Sequence, residues 1–320
     1  MKTKGFTLIE LSIVLVIIGL IVGGVLVGQD LVSAAGVRST ITQIEKYNQA
    51  ANTFRGKYGQ LPGDMDANTA AAFGFAPRTG VAGHGNGDGV IEGECGIICW
   101  INVAAARGET GEFWADLTHA NGQNINFIEG SYTLAEPTMT DTPVFGTTTP
   151  VNLDITGTAI ANFFPPAKIG RGNYIYIWCC GPLNAGTTNY FGISAVNGIA
   201  TVNNWDVHST PALTVKEAYA IDTKMDDGLP QSGRVMAWYI NYDLGVMSEF
   251  YPSWAGGTGL GASQSGNIPT TNATVGSSTT CYDNSTSTDG QTAANGNPQH
   301  YSLEISSGTG VNCALSFQFQ

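Results

Sequence analysis

Residues 5–30 read Gly5-Phe6-Thr7-Leu8-Ile9-Glu10-Leu11-Ser12-Ile13-Val14-Leu15-Val16-Ile17-Ile18-Gly19-Leu20-Ile21-Val22-Gly23-Gly24-Val25-Leu26-Val27-Gly28-Gln29-Asp30. Between Phe6 and Val27 the only polar side chains are Thr7, Glu10 and Ser12. As a helix rising ~1.5 Å per residue, this run spans ~33 Å, enough to cross a hydrocarbon layer of ~30 Å. Lys2 and Lys4 precede it. Basic residues ahead of a span hold that end on the cytoplasmic side, so the rest of the chain is expected on the outer side. An ordinary secretory signal has a shorter apolar stretch and a small-residue cleavage site. Here Ser33-Ala34-Ala35 is a weak match to such a site. A plain membrane anchor fits the length but not Glu10. A carboxylate within an apolar helix is costly unless paired, and points to function. If the chain were cut between Gly5 and Phe6, the new α-amino group, its own or a neighbour's, would be the natural partner of Glu10.

Gly5-Phe6-Thr7-Leu8-Ile9-Glu10-Leu11 resembles the prepilin-type processing site of type IV pilins and type II secretion pseudopilins. The resemblance implies that Gly5 is the last leader residue and that Phe6 becomes an N-methylated mature terminus. It also implies that Glu10 pairs with a neighbouring N-terminus during filament assembly. Many pilins carry a proline where this chain has Val27. Detailed filament geometry therefore does not transfer.

Working outward, Gly19/Gly23 and Gly24/Gly28 form two G-x-x-x-G spacings. Such spacings let helices approach closely in lipid or in a filament core, although glycine is also simply tolerated in membrane helices. After Asp30 the pattern becomes amphipathic. Ile41, Ile44, Tyr47, Ala51, Phe54 and Tyr58 mark one helical face, with Arg38, Gln43, Glu45, Lys46, Asn52 and Arg55 on the others. Leu61-Pro62-Gly63-Asp64 ends the helix. One helix from Phe6 to about Tyr58 is predicted, its first half in membrane or filament core and its second half needing a sheet to cover it.

The remainder reads as a β-rich head. Strands are expected at Tyr174–Trp178, Tyr190–Ser194, Arg234–Ile240, Ser302–Ile305 and Ala314–Phe319, with short helices at Glu112–Asn121 and Val215–Lys224. Pro137–Pro150 is a Thr/Pro-rich loop, and Gly256–Gln299 is a polar loop of 44 residues whose only charges are Asp283 and Asp289. The expected fold is α+β: a long N-terminal helix packed on an antiparallel sheet, a pilin-like ladle with large loop insertions. The expected divisions are a leader at 1–5, a helix at 6–60 with its membrane span at 6–28, and a head at 61–320.

Six cysteines fall by position into Cys95/Cys99, Cys179/Cys180 and Cys281/Cys313, and they allow fifteen connectivities. A Cys281–Cys313 bridge would staple the polar loop to the C-terminal strand, and it resembles the C-terminal disulfide-bounded loop of many type IV pilins. Vicinal Cys179 and Cys180 seldom bond each other, so bridges from them to Cys95 and Cys99 are the simplest alternative.

Two acidic turns are candidate calcium sites. His84-Gly85-Asn86-Gly87-Asp88-Gly89-Val90-Ile91-Glu92 partly resembles an EF-hand loop, with Asn86, Asp88 and Glu92 as oxygen ligands. His84 stands at the first ligand position and Cys95 at the last, so a solvated glycine-rich turn remains the alternative. Asp226 and Asp227 precede Gly228 in the second turn, Asp222–Gly233. This turn and Lys57–Asp64 both resemble segments of larger pilin-like proteins, and calcium stabilises a related loop in major pseudopilins. A plain Asp-Gly turn explains the same residues.

The chain has 320 residues, 13 basic against 25 acidic, a net charge of −12, 12% charged residues and 42 glycines. The acidic excess argues against bulk nucleic-acid binding, which needs a basic face. His84, His119, His208 and His300 fit no metal-hydrolase spacing, and neither a G-x-S-x-G elbow nor a P-loop is present. The expected function is a structural, non-enzymatic pilus or pseudopilus subunit, minor or specialised because its head is large. Its expected partners are other pilin subunits, a prepilin peptidase, an inner-membrane assembly platform and, before assembly, membrane lipid. A pilus-borne adhesin and a membrane-tethered hydrolase that borrows the export signal are the alternatives.

Overall fold

The computed structural model describes residues 8–80, 84–93, 108–120, 123–133, 155–179, 187–200, 206–240, 253–255, 281–283, 300–303 and 308–319. Helix α1 (Leu8–Tyr58) is one unbroken element of 51 residues. Its distal half buries Val37, Thr40, Ile44, Tyr47, Ala51, Phe54 and Tyr58, a stripe at steps of three and four. Gln43 departs from the expected polar face. It is buried, and its amide donates to Tyr47 Oη and the Pro166 carbonyl while accepting from the Lys168 amide. Three well-placed hydrogen bonds offset the desolvation that pattern reading assumes would expose it. The helix stops at Gly59, whose φ of +85° suits glycine, and its N–H closes on the Arg55 carbonyl at 2.8 Å.

Three further helices follow: α2 (Ala67–Phe73), α3 (Gly108–Asp116) and α4 (Val215–Met225). The strands are β1 (His119–Ala120), β2 (Gln123–Asn124), β3 (Ile155–Thr156), β4 (Asn173–Cys179), β5 (Asn189–Ala200), β6 (Asp206–Thr210) and β7 (Leu213–Thr214). They continue with β8 (Val235–Met236), β9 (Trp238–Tyr239), β10 (Ser253–Trp254), β11 (Tyr282–Asp283), β12 (His300–Tyr301), β13 (Val311–Cys313) and β14 (Leu315–Gln318).

The main sheet is built on β5, and its pairings are antiparallel throughout. Ile193 at its middle faces Ile175 of β4 on one side and Leu315 of β14 on the other. Farther along, β5 pairs with β6 and β3, and β14 carries β8 on its outer edge. The α1 stripe is covered by aromatic side chains of the sheet, of α3 and of the segment after α2. Tyr47 meets Trp114 of α3 with ring centres 5.0 Å apart and Phe191 at 6.4 Å, and Phe54 meets Phe75 at 5.4 Å. Such pairs add to the burial of the rings themselves. This is the expected α+β ladle.

Local boundaries differ from the expected ones for visible reasons. α3 starts before Glu112 and ends at Asp116, because the Thr118 hydroxyl bonds back to the Trp114 and Ala115 carbonyls. Its inward-facing Glu109 and Glu112 hide it from an apolar pattern. The expected strand over 234–240 divides at Ala237. There the backbone bonds Pro230 and Ala255 rather than the sheet, so β8 pairs with β14 and β9 with β10. β12 ends at Tyr301, before the expected Ser302–Ile305 strand, whose last two residues lie outside those described.

Candidate functional site

The first half of α1 is uncovered. From Leu8 to Val32 its large apolar side chains are 49–85% exposed. By length and composition it can cross a membrane. Glu10 stands in its first turn, where the helix dipole favours a carboxylate. Among the described residues, nothing approaches within 4 Å of where a side chain would begin at Gly19, Gly23, Gly24 or Gly28. The Gly19/Gly23 spacing is therefore open to another helix, whereas Gly28 of the second borders a cleft shared with Ile169, Arg171 and Glu217 of the head. Gly5 and Phe6 lie outside the described residues.

Where α1 leaves this bare segment, the head grips it. Lys216 Nζ is 3.4 Å from Asp30 Oδ1, and Ser33 Oγ donates to Glu217 at 3.1 Å. Glu217 also pairs with Arg171. Thr214 and Glu217 form a reciprocal capping box that fixes the start of α4. Burial raises the Glu217 pKa, but hydrogen bonds from Thr214 and Arg171 overcome it and hold the carboxyl below its usual range.

At the far end of α1, a network of buried charges closes the head. Asp64 accepts the Gly87 and Gly89 amides at 2.8 Å each. Glu109 accepts the Gly85 amide at 2.7 Å and the Glu92 amide at 2.8 Å. Asp116 accepts the Gly63 amide at 2.7 Å and both its oxygens bond Arg78. Gly63 is constrained twice over. Its φ is +83°, and a Cβ would lie 2.2 Å from the Glu109 carbonyl oxygen. Glu112 Oε2 is 3.7 Å from Arg78 Nη1, and neither carboxyl oxygen has a hydrogen-bond partner among the described residues. Burial lifts Asp64 to about 7, Glu112 to about 8 despite the attraction of Arg78, and Glu109 well above its usual value. Sequence reading misses this network. Its only sequence trace is the density of carboxylates around Asp64 and in Glu109–Asp116.

The expected calcium ligands divide between two places. Asn86 and Asp88 bond each other at 3.0 Å, and their oxygens also accept the Asp88 and Val90 amides. Glu92 is tied through its amide to Glu109. The loop thus points its own N–H groups at Asp64 and Glu109. Asp226 and Asp227 do come together, with Asp222 as an unforeseen third member, their ligand atoms within 4.8 Å of one another. Each is also bonded inside its turn: Asp222 to Gly228 and Tyr301, Asp226 to the Arg234 and Val235 amides, Asp227 to Leu229 and Ser232. Burial, with the neighbouring carboxylates adding to it, raises Asp222 to about 7.

Cys281 and Cys313 form a disulfide across 32 residues, tying the β11–β12 hairpin to β13. Cys179 is also disulfide-bonded. Cys95, Cys99 and Cys180 lie outside the described residues, as does the polar loop 256–299 apart from 281–283. Among the described histidines, His119 bonds Thr118 and Ser131, and His84 and His300 are buried in the head.

The family model for the prokaryotic N-terminal methylation motif matches residues 1–26. Together with one long helix laid against an antiparallel sheet, this motif indicates the type IV pilin/pseudopilin family. Searches of curated proteins and of solved structures gave no match.

Proposed function

We propose that this chain is a structural subunit, minor or specialised, of a type IV pilus or related filament. The observation that carries the reading is the placement of Glu10 in the first turn of a helix whose apolar side chains stay uncovered as far as Val32. Such a surface needs lipid or other helices around it, and a carboxylate kept within it points to function. In this reading a prepilin peptidase cuts after Gly5, and the span over 6–28 holds the subunit in the bacterial inner membrane with the head, 61–320, outside. Assembly then exchanges lipid contacts for helix contacts, and Glu10 meets the Phe6 amino group of a neighbour. Apolar surface stays buried throughout, so the driving force is packing and charge pairing, not bond-making. The large head supports a minor or specialised place in the filament.

Co-expression of the full chain with a prepilin peptidase, followed by mass spectrometry of the N-terminus, tests the processing step. A mature chain beginning at methylated Phe6 supports the reading. An intact Met1 terminus, or a cut after Ala35, rejects it.

A further inference from the structure

We infer that a cationic groove along the distal half of α1 docks the acidic head of a second copy of this chain; the inference rests on the filament reading, which brings copies side by side. Charge is divided unevenly along the sequence. Residues 31–60 hold four cations and one carboxylate, whereas residues 61–320 hold seven cations and 22 carboxylates. The head is thus the acidic part of the molecule, and the distal half of α1 is the basic part. Folding does not cancel the difference. Arg38, Thr42, Lys46, Gln49 and Thr53 recur at steps of four and three and are exposed. They form one wall of a groove of about 1260 Å³, with Lys168 on the opposite wall and Glu129 as its single carboxylate. Among the described residues, Arg38, Lys46, Lys168 and Glu129 make no ion pair. Three cations therefore face the groove against one anion.

From Arg38 to Thr53 the groove runs ~22 Å along the helix, the span of about seven extended residues. Exposed charges are screened beyond ~8 Å at physiological salt, so a docking segment responds to these cations rather than to the distant acidic surface of the same chain. Two heads set face to face would oppose like charges, whereas a head laid on the groove sets carboxylates against cations. Complementarity of this kind selects partner and register more than it adds affinity. The groove and the acidic surface belong to different parts of one chain, so the contact is not self-complementary. Each added copy brings a fresh groove, and such contacts propagate into open helical arrays unless the rotation closes a ring. The bare apolar half of α1 requires the same side-by-side arrangement of copies.

The test is made on sheared filaments containing the full chain, treated with a water-soluble carbodiimide, which joins a lysine amine to a carboxylate in direct contact. Denaturing gels separate joined copies from single chains, and mass spectrometry identifies the joined residues in each band. The expected product joins Lys46 or Lys168 to a carboxylate within residues 61–320, present in the dimer band and absent from the single-chain band. Arg38→Gln should lower its yield per incorporated subunit about twofold, and Arg38→Glu further. Lys57→Glu, beyond the groove, should leave it unchanged. If filaments form but Lys46 and Lys168 join only carboxylates of their own chain, such as Glu136 or Asp141, the docking is overturned while the filament reading stands. A yield unmoved by Arg38→Glu, or a joined peptide from a different subunit, overturns it equally. If the chain enters no filament, the filament reading falls and the docking with it.

Discussion

Arg78 Nη2 lies 2.7 Å from both carboxylate oxygens of Asp116, and each side chain is 1% exposed. Asp116 also takes the Gly63 amide just beyond the end of α1. One ion pair thus ties α3, the 61–64 turn and the 76–78 segment together. Removing one partner of a buried pair leaves an uncompensated charge, at a cost of about 3–5 kcal/mol. Arg78→Met is expected to lose stability of that order, because buried Asp116 would lose its cation. Urea unfolding in detergent, followed by tryptophan fluorescence, reads it through Trp114 on the same helix. A loss below about 1 kcal/mol would mean that the pair behaves as a solvated surface bridge.

The raised carboxyls make a statement about pH. Asp64 titrates near 7 in the folded head against an ordinary 3.8, and Glu112 near 8 against 4.5. Asp222 is also raised to about 7. Between the unfolded and folded values the folded state holds protons that the unfolded state has released. Their contribution to stability is therefore full below about pH 4 and is lost as pH rises through 7 to 8. Asp66 and Glu217, held below their usual ranges, act in the opposite sense at lower pH. Melting temperature is expected to fall from pH 5 to 8.5, and Asp64→Asn should flatten part of that slope. A rise across the window would show that these groups are ionised in the fold.

Cys281–Cys313 closes a loop of 32 residues. Constraint of the unfolded chain by a loop of that length is worth about 3–4 kcal/mol in the chain-entropy picture. The Cys281→Ser/Cys313→Ser variant should lose stability of that order, and reduction of the unaltered chain should shift its melting in the same direction. The α1 stripe packs elsewhere, so far-ultraviolet helix content should survive at low temperature.

Gly192 faces Tyr176 across the β4–β5 ladder, and a Cβ there would lie 2.2 Å from the Tyr176 ring. Tyr176 cannot swing away freely. Its hydroxyl accepts the Ile240 amide at 3.0 Å and bonds Ser194 at 2.8 Å, in a buried chain that runs on through Ser209 to the Ile240 carbonyl. Gly192→Ala is expected to destabilise by about 1–3 kcal/mol through overpacking. Equal stability, measured by thermal melting, would place the ring elsewhere.

Regular periodicity makes the long helix, its buried face, α4 and the strands β4, β5 and β14 legible in the sequence. The apolar run and the Gly5–Leu11 motif carry the class of function. Glu109 and Glu112 are illegible as core residues because their burial depends on partners distant in sequence: loop amides for the first and Arg78 for the second. Asp222 reads as a polar position in α4, and only the return of the 226–228 turn and of Tyr301 brings its partners to it. The division at Ala237 is hidden for the same reason, since its bonds go to Pro230 and Ala255.

In the proposed filament, Glu10 directs assembly through an otherwise apolar helix. The direct measurement is the amount of this chain in sheared filaments for the unaltered protein, Glu10→Ala and Glu10→Gln, with membrane levels of each monitored alongside. Equal membrane insertion and N-terminal processing are expected for all three, with a loss from filaments of at least tenfold for both variants. Undiminished incorporation of Glu10→Ala would contradict the claim.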